Sequence, residues 1–184
     1  MRKAGRCFAA VIAVMQLAIT ALLFYSVLKT GEENHTANDW NQEFQSFADE
    51  LCRDCGDDEV KVKRIYDWIT ETIEYDGNAV EVAYQYFDIH KTLQSRKGVC
   101  FDFANLFAVF CRSQGIPCRI LDGYSREDTN YLHTWNRVYF NDRWWNTDLS
   151  YDSAQKNAGE KYGLAAVNGA VDTPDERYVI TRIY

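Results

Sequence analysis

Cys100, His133 and Asp148 are the residues of this chain whose types and order can do covalent chemistry. Cys100 stands in Gly98-Val99-Cys100-Phe101-Asp102-Phe103-Ala104-Asn105-Leu106-Phe107, His133 in His133-Thr134-Trp135-Asn136, and Asp148 in Trp144-Trp145-Asn146-Thr147-Asp148. A free thiol has a pKa of about 8.5 and is mostly protonated at neutral pH, so a nucleophilic cysteine needs a local cause of ionisation. Two are available. A cysteine that opens a helix lies where unpaired N–H groups and the macrodipole favour negative charge. An imidazolium at His133 can stand beside the thiolate while Asp148 fixes its tautomer and stabilises its charge. Such a pair would attack an amide carbonyl to give a thioester, and His133 would protonate the leaving amine. The backbone N–H of Cys100 could hold the oxyanion. A second donor is not assigned by the sequence; Tyr84, Gln85 and Tyr86 are candidates. Taken singly, Cys100 would be core filler, His133 a sheet residue and Asp148 a strand-end cap. Three together, in these positions, favour the chemistry.

The elements around them must bring the three together. Cys100 to Ser113 is apolar nearly all round, which predicts a buried helix. Gly115 ends it and Pro117 forbids its return. Strand-like runs follow at Cys118 to Leu121 before Gly123-Tyr124, at Leu132 to Phe140, at Arg143 to Asp148 and at Tyr178 to Tyr184. Asn141-Asp142 reads as a two-residue hairpin turn, and this lets the register be counted. If Phe140 faces Arg143, then Trp135 faces Asp148, and His133 lies diagonally beside Asp148 on the same face. Diagonal neighbours are about 7–8 Å apart, within reach of an imidazole and a carboxylate extended toward each other. A bulge would send Asp148 to the opposite face.

Upstream, Trp40, Phe44, Phe47, Ala48 and Leu51 recur at helical spacing and Gly56 stops the run. Asp57 and Asp58 can cap a second helix that carries Val60, Ile65, Trp68, Ile69 and Ile73 on one face and ends near Tyr75-Asp76-Gly77. Val80 to Phe87 can be a helix, and Thr92 to Lys97 reads as a loop. His35 and His90 read as tether and loop residues. Helices first and strands afterwards indicate an α+β domain, with an antiparallel sheet against a central helix.

Residues 1–28 form a separate unit. Arg2, Lys3 and Arg6 precede the uncharged run from Cys7 to Leu28, whose 22 residues can cross a bilayer core of about 30 Å. No good small-x-small cleavage site ends the run, so a signal anchor is preferred to a removed signal peptide. Its positive flank places the N-terminus in the cytoplasm and the domain outside, or secreted if the segment is cleaved. Residues 29–39 are a polar tether, and 40–184 a single domain whose apolar content suffices for a core. With net charge −7 and no basic cluster beyond the N-terminus, nucleic acid is not the expected partner. Of six cysteines, Cys52 and Cys55 are the local candidates for a disulfide, whose state the sequence leaves open, while Cys111 and Cys118 read as buried packing rather than zinc ligands.

The chain resembles the transglutaminase-like domain of the papain-like cysteine enzyme superfamily over about Val60 to Asp152. Gly98-Val99-Cys100 with Ala104, Leu106 and Phe107 looks like that family's nucleophile helix. Gly115-Ile116-Pro117-Cys118-Arg119 followed by Gly123-Tyr124 is similar to its next strand. His133-x-Trp135-Asn136-x-Val138-Tyr139, Trp144-Trp145 and Asp148 look like its histidine and aspartate strands. The resemblance implies Cys100 as nucleophile, His133 as base and acid, and Asp148 as orienting carboxylate, with no cofactor or metal. It departs after the aspartate, where Leu149-Ser150-Tyr151-Asp152 replaces the family's usual proline-threonine-tryptophan type segment.

The expected function is therefore an extracytoplasmic cysteine enzyme acting on amide bonds of peptides or proteins, cell-wall peptides among them, by hydrolysis or amine transfer. Two alternatives stay open. One is a non-catalytic module that holds a peptide or glycan in a cleft rimmed by Trp135, Trp144, Trp145 and Tyr124. The other is an acyltransferase or peptide N-glycanase-like activity on the same triad.

Overall fold

The computed structural model describes residues 37–77, 89–126, 132–160, 163 and 178–184. The expected membrane-crossing segment, most of the tether, the helix expected over Val80 to Phe87 and the donor candidates Tyr84, Gln85 and Tyr86 lie outside the described residues. Among those described, no helix is long and apolar enough to cross a membrane.

Helix α1, Ala37–Leu51, buries Phe44, Phe47, Ala48 and Leu51, as their spacing predicts. Asp57 caps helix α2, Asp58–Thr72, by accepting a hydrogen bond from Val60 N at 2.9 Å. The buried stripe of α2 is Val62, Ile65, Tyr66 and Ile69. Val60, expected on that stripe, is 43 % exposed, because the inward 3–4 spacing begins two residues later at Val62. The helix also stops short of Gly77. Ile73 turns extended, and Glu74–Tyr75 (β1) pairs in parallel with Lys97–Gly98 (β2). Thr92 to Lys97 is not a loop: Ile89–Ser95 is helix α3, which buries Ile89, Thr92 and Leu93 and places His90 against Phe44, ring centroids 5.5 Å apart.

Helix α4, Cys100–Ser113, is the centre of the core. Phe110 meets Phe47 and Trp68 at 5.5 and 5.6 Å, which ties α4 to α1 and α2. Its end is a Schellman motif: Gly115, at φ +74°, donates to Arg112 O, and Ile116 donates to Cys111 O. The chain then enters a four-stranded antiparallel sheet built from β3 (Cys118–Ser125), β4 (Leu132–Phe140), β5 (Arg143–Thr147) and β6 (Tyr178–Ile183), in the order β5-β4-β3-β6. Asn141 and Asp142 both take positive φ, 50° and 59°, as a type I′ hairpin turn requires. Pairing runs from Phe140↔Arg143 to Asn136↔Thr147, the register counted from the sequence.

Strand β5 ends one residue before the expected Asp148. That residue caps an unexpected helix α5, Leu149–Asn157. Leu149 is buried in the core, and polar ties hold the rest of this helix: Tyr66 Oη donates to Asp152 Oδ2 at 2.6 Å, Ser153 Oγ to Ile73 O, and Lys156 Nζ to Thr70 O. None of Cys52, Cys55, Cys100, Cys111 and Cys118 is joined in a disulfide. Cys52 and Cys55 share one turn, with Cys55 N donating to Cys52 O, and a bridge between them would close too short a loop to constrain the unfolded chain much. Burial, with Cys55 beside it, pushes the Cys52 thiol up to about 12. Cys111 and Cys118 are buried, as expected.

Candidate active site

Cys100 is the first residue of α4, after the extended N-cap Val99. Valine offers no capping oxygen, so the turn is fixed from the other side: Asp102 Oδ2 accepts from Val99 N at 2.9 Å, and Oδ1 accepts from Thr92 Oγ1 at 3.4 Å. Burial raises the Asp102 carboxyl above its ordinary range, against the opposing pull of the Val99 N–H, Thr92 and Lys91. Gly98 has no room for a side chain here, since a Cβ would stand 2.7 Å from that of Asp102. The close turn thus aims the cysteine at the end of the helix where N–H groups face outward.

His133 comes from β4, and Asp148 from the cap that joins β5 to α5. The His133 ring puts Nε2 at 2.7 Å from Asp148 Oδ2, with both residues buried, 3 % and 1 % exposed. The second carboxylate oxygen, Oδ1, accepts from Ser150 Oγ at 2.9 Å and from Tyr151 N at 3.1 Å. Burial alone would lower the His133 value. Asp148 overcomes it through charge and hydrogen bond, Cys100 adds to it in the same two ways, and the imidazole is pushed up to about 10. Burial works against the charged Asp148 too, yet His133, the Tyr151 N–H and Ser150 together hold its carboxyl below the ordinary range. With Nε2 engaged by Asp148, Nδ1 is the atom left to meet the thiol. The three expected residues are therefore brought together, with Cys100 itself 3 % exposed.

Other expectations change. Trp135 is not a rim residue but is 1 % exposed, packed with Leu121 and Tyr178 because it shares their side of the sheet. Trp145 packs on the core, with Nε1 donating to Phe140 O, and Arg119 covers Trp144 at 4.1 Å. Of the four proposed rim aromatics, Tyr124 is the exposed one. Sequence reasoning missed Ser150, which the Asp148-x-Ser150 spacing of a helix cap could have disclosed, and Asp102, three residues past the N-cap. A cavity of about 430 Å³ lies between α2, α5 and β2, lined by Thr70, Glu74, Arg96 and Lys156 among others, away from Cys100. Among the described residues, no group of three or more His, Cys, Asp or Glu stands where it could share a metal ion.

Against known proteins, the model of the transglutaminase-like superfamily matches residues 45–149. Kyphoscoliosis peptidase of Mus musculus is 32 % identical over 117 residues, covering 58 % of this chain and 18 % of its own. Peptide-N(4)-(N-acetyl-beta-glucosaminyl)asparagine amidase of Drosophila melanogaster is 31 % identical over 126 residues, covering 61 % of this chain and 18 % of its own. The chain thus spans less than a fifth of either relative. Among solved structures, Legionella pneumophila LapG superposes with a TM-score of 0.54 at 13 % identity, over 88 % of this chain and 83 % of its own, a likeness of fold.

Proposed function

The chain belongs to the transglutaminase-like superfamily, and we propose that it is a cysteine-dependent enzyme acting on amide bonds of peptides or proteins, with Cys100 as nucleophile, His133 as acid and base, and Asp148 as orienting carboxylate. The observation that carries this reading is the buried 2.7 Å contact between His133 Nε2 and Asp148 Oδ2, on an imidazole whose charged form Cys100 also favours. The Cys100 sulfur attacks the carbonyl carbon, and its carbon–nitrogen bond breaks as the His133 proton passes to the departing amine. A thioester remains on Cys100. Water or a second amine then loses a proton to His133 and attacks the thioester, and the thiolate leaves. The Cys100 N–H, at the head of α4, suits the oxyanion formed in each half. The relatives named as a peptidase and an amidase support amide chemistry. The apolar run from Cys7 to Leu28 supports work outside the cytoplasm, with that run as anchor.

Iodoacetamide at pH 6 should alkylate Cys100 ahead of Cys111 and Cys118, and His133→Gln should slow that reaction about tenfold or more. Mass spectrometry of the chain after incubation with a library of amide substrates should then find acyl groups on Cys100. Equal labelling of the three thiols, with no acyl adduct, would overturn the reading.

A further inference from the structure

Strand β6 lies beyond the family-matched segment, yet its first residue reaches the candidate triad. The ring of Tyr178 stands 4.6 Å from the His133 imidazole, centroid to centroid, with 21° between the planes. Trp135 stands 6.0 Å from the same imidazole at 15°, and 5.1 Å from Tyr178. Near-parallel planes at these separations set a negative π face against the imidazole, the arrangement in which an aromatic ring attracts a cation. Tyr178 is 8 % exposed, so the attraction acts largely out of water, where it is strongest.

The backbone is shaped for this contact. Gly123 pairs with His133 on one side and with Ile180 on the other, beside a register shift between Asp122 and Gly123. A Cβ at Gly123 would come within 2.4 Å of Val179 O and 2.9 Å of Trp135 Cη2. Glycine lets β6 approach closely enough for Tyr178 to cover the imidazole.

We propose that Tyr178, seated beside Trp135, is a positioning residue: its π face favours the imidazolium form of His133. This rests on the reading of Cys100, His133 and Asp148 as a triad. Asp148, at the head of α5, and Cys100, at the head of α4, are titratable groups that act directly on the ring. Asp122 on β3 is engaged by Thr134 Oγ1 and by Arg182 of β6. Tyr178 adds attraction without adding charge.

The test is an NMR titration of the His133 imidazole in the full chain. Tyr178→Phe should leave the midpoint nearly in place, and Tyr178→Leu should lower it by roughly 0.5–1.5 pH units. Phenylalanines with one, two and three ring fluorines at position 178 keep the shape of the ring while draining its π face. They should lower the midpoint stepwise even if Tyr178→Leu does not fold. A midpoint indifferent to fluorination would overturn the proposal. Selective alkylation of Cys100 in the unaltered chain is read separately, so failure of the triad reading and failure of the Tyr178 proposal give different results.

Discussion

His133 and Asp148 meet at 2.7 Å where their strands no longer pair, since the last rung of the β4–β5 ladder is Asn136↔Thr147. The carboxylate is held from the helix side instead. Its Oδ1 caps α5 through Tyr151 N and accepts the Ser150 hydroxyl, which leaves Oδ2 pointing at the imidazole. One side chain thus ends a strand, starts a helix and orients the proposed base.

The two duties of Asp148 can be separated. Asn is as good an N-cap as Asp, so Asp148→Asn should leave the α5 cap in place while losing the charge that favours the imidazolium. Turnover should fall on the order of 10²–10⁴-fold, in kcat rather than KM. Asp148→Ala should show the same loss of turnover plus about 0.5–2 kcal/mol of instability from the missing cap. Urea midpoints and steady-state kinetics on both variants decide it.

The same pair predicts how stability varies with pH. His133 titrates at about 10 in the folded chain, against about 6.5 when unfolded. Its contribution is therefore complete below about pH 6.5 and is lost as pH rises toward 10. Asp148, held low, contributes above the unfolded aspartate value of about 3.9 and loses that contribution as pH falls through its folded value. The advantage of the unaltered chain over His133→Gln in urea midpoint should be greatest between about pH 4 and 6.5 and should shrink steadily from pH 6.5 to 10. An advantage that stayed flat over that upper range would mean that the imidazolium is not what stabilises the pair.

Helix α4 and the β4–β5 register were legible because each is a local matter: an apolar run closed by Gly115, and a tight turn at Asn141-Asp142 with no bulge before Thr147. Helices α3 and α5 were not, because most of their residues are polar and what fixes α5 lies far off in sequence. Tyr66 holds Asp152 across 86 positions, and Ile73 holds Ser153 across 80. The rim reading fails for Trp135 for a related reason. Residue type does not say whether an aromatic lines a rim or fills a core, and Trp135 is buried because Leu121 and the distant Tyr178 close over it.

Gly98 makes a steric prediction about the cysteine turn. Gly98→Ala drives a Cβ to 2.7 Å from Asp102 Cβ, and that atom is fixed to the helix rather than at the end of a flexible chain. The variant should lose about 1–3 kcal/mol, as overpacked sites do, and should alkylate more slowly at Cys100 because the Val99–Asp102 hydrogen bond must give way. Chemical denaturation and the alkylation rate measure the two effects.

Asn136 and Thr147 are cross-strand partners with opposite electrostatic needs. Asn136 Nδ2 donates to Ala104 O at 3.0 Å and to Arg119 O at 3.2 Å, so one amide fastens helix α4 to the sheet. Asn136→Asp keeps the shape but sets a carboxylate against two carbonyl oxygens, and should cost several kcal/mol or force protonation of the new acid. Thr147 Oγ1 is buried with no partner. Thr147→Val removes a hydroxyl that earns no hydrogen bond while preserving the branched shape, so it should leave stability unchanged or raise it by up to about 1 kcal/mol. A loss of stability in Thr147→Val would mean instead that a buried water joins Thr147 Oγ1 to Asn136 Oδ1, the other unpaired atom of this rung.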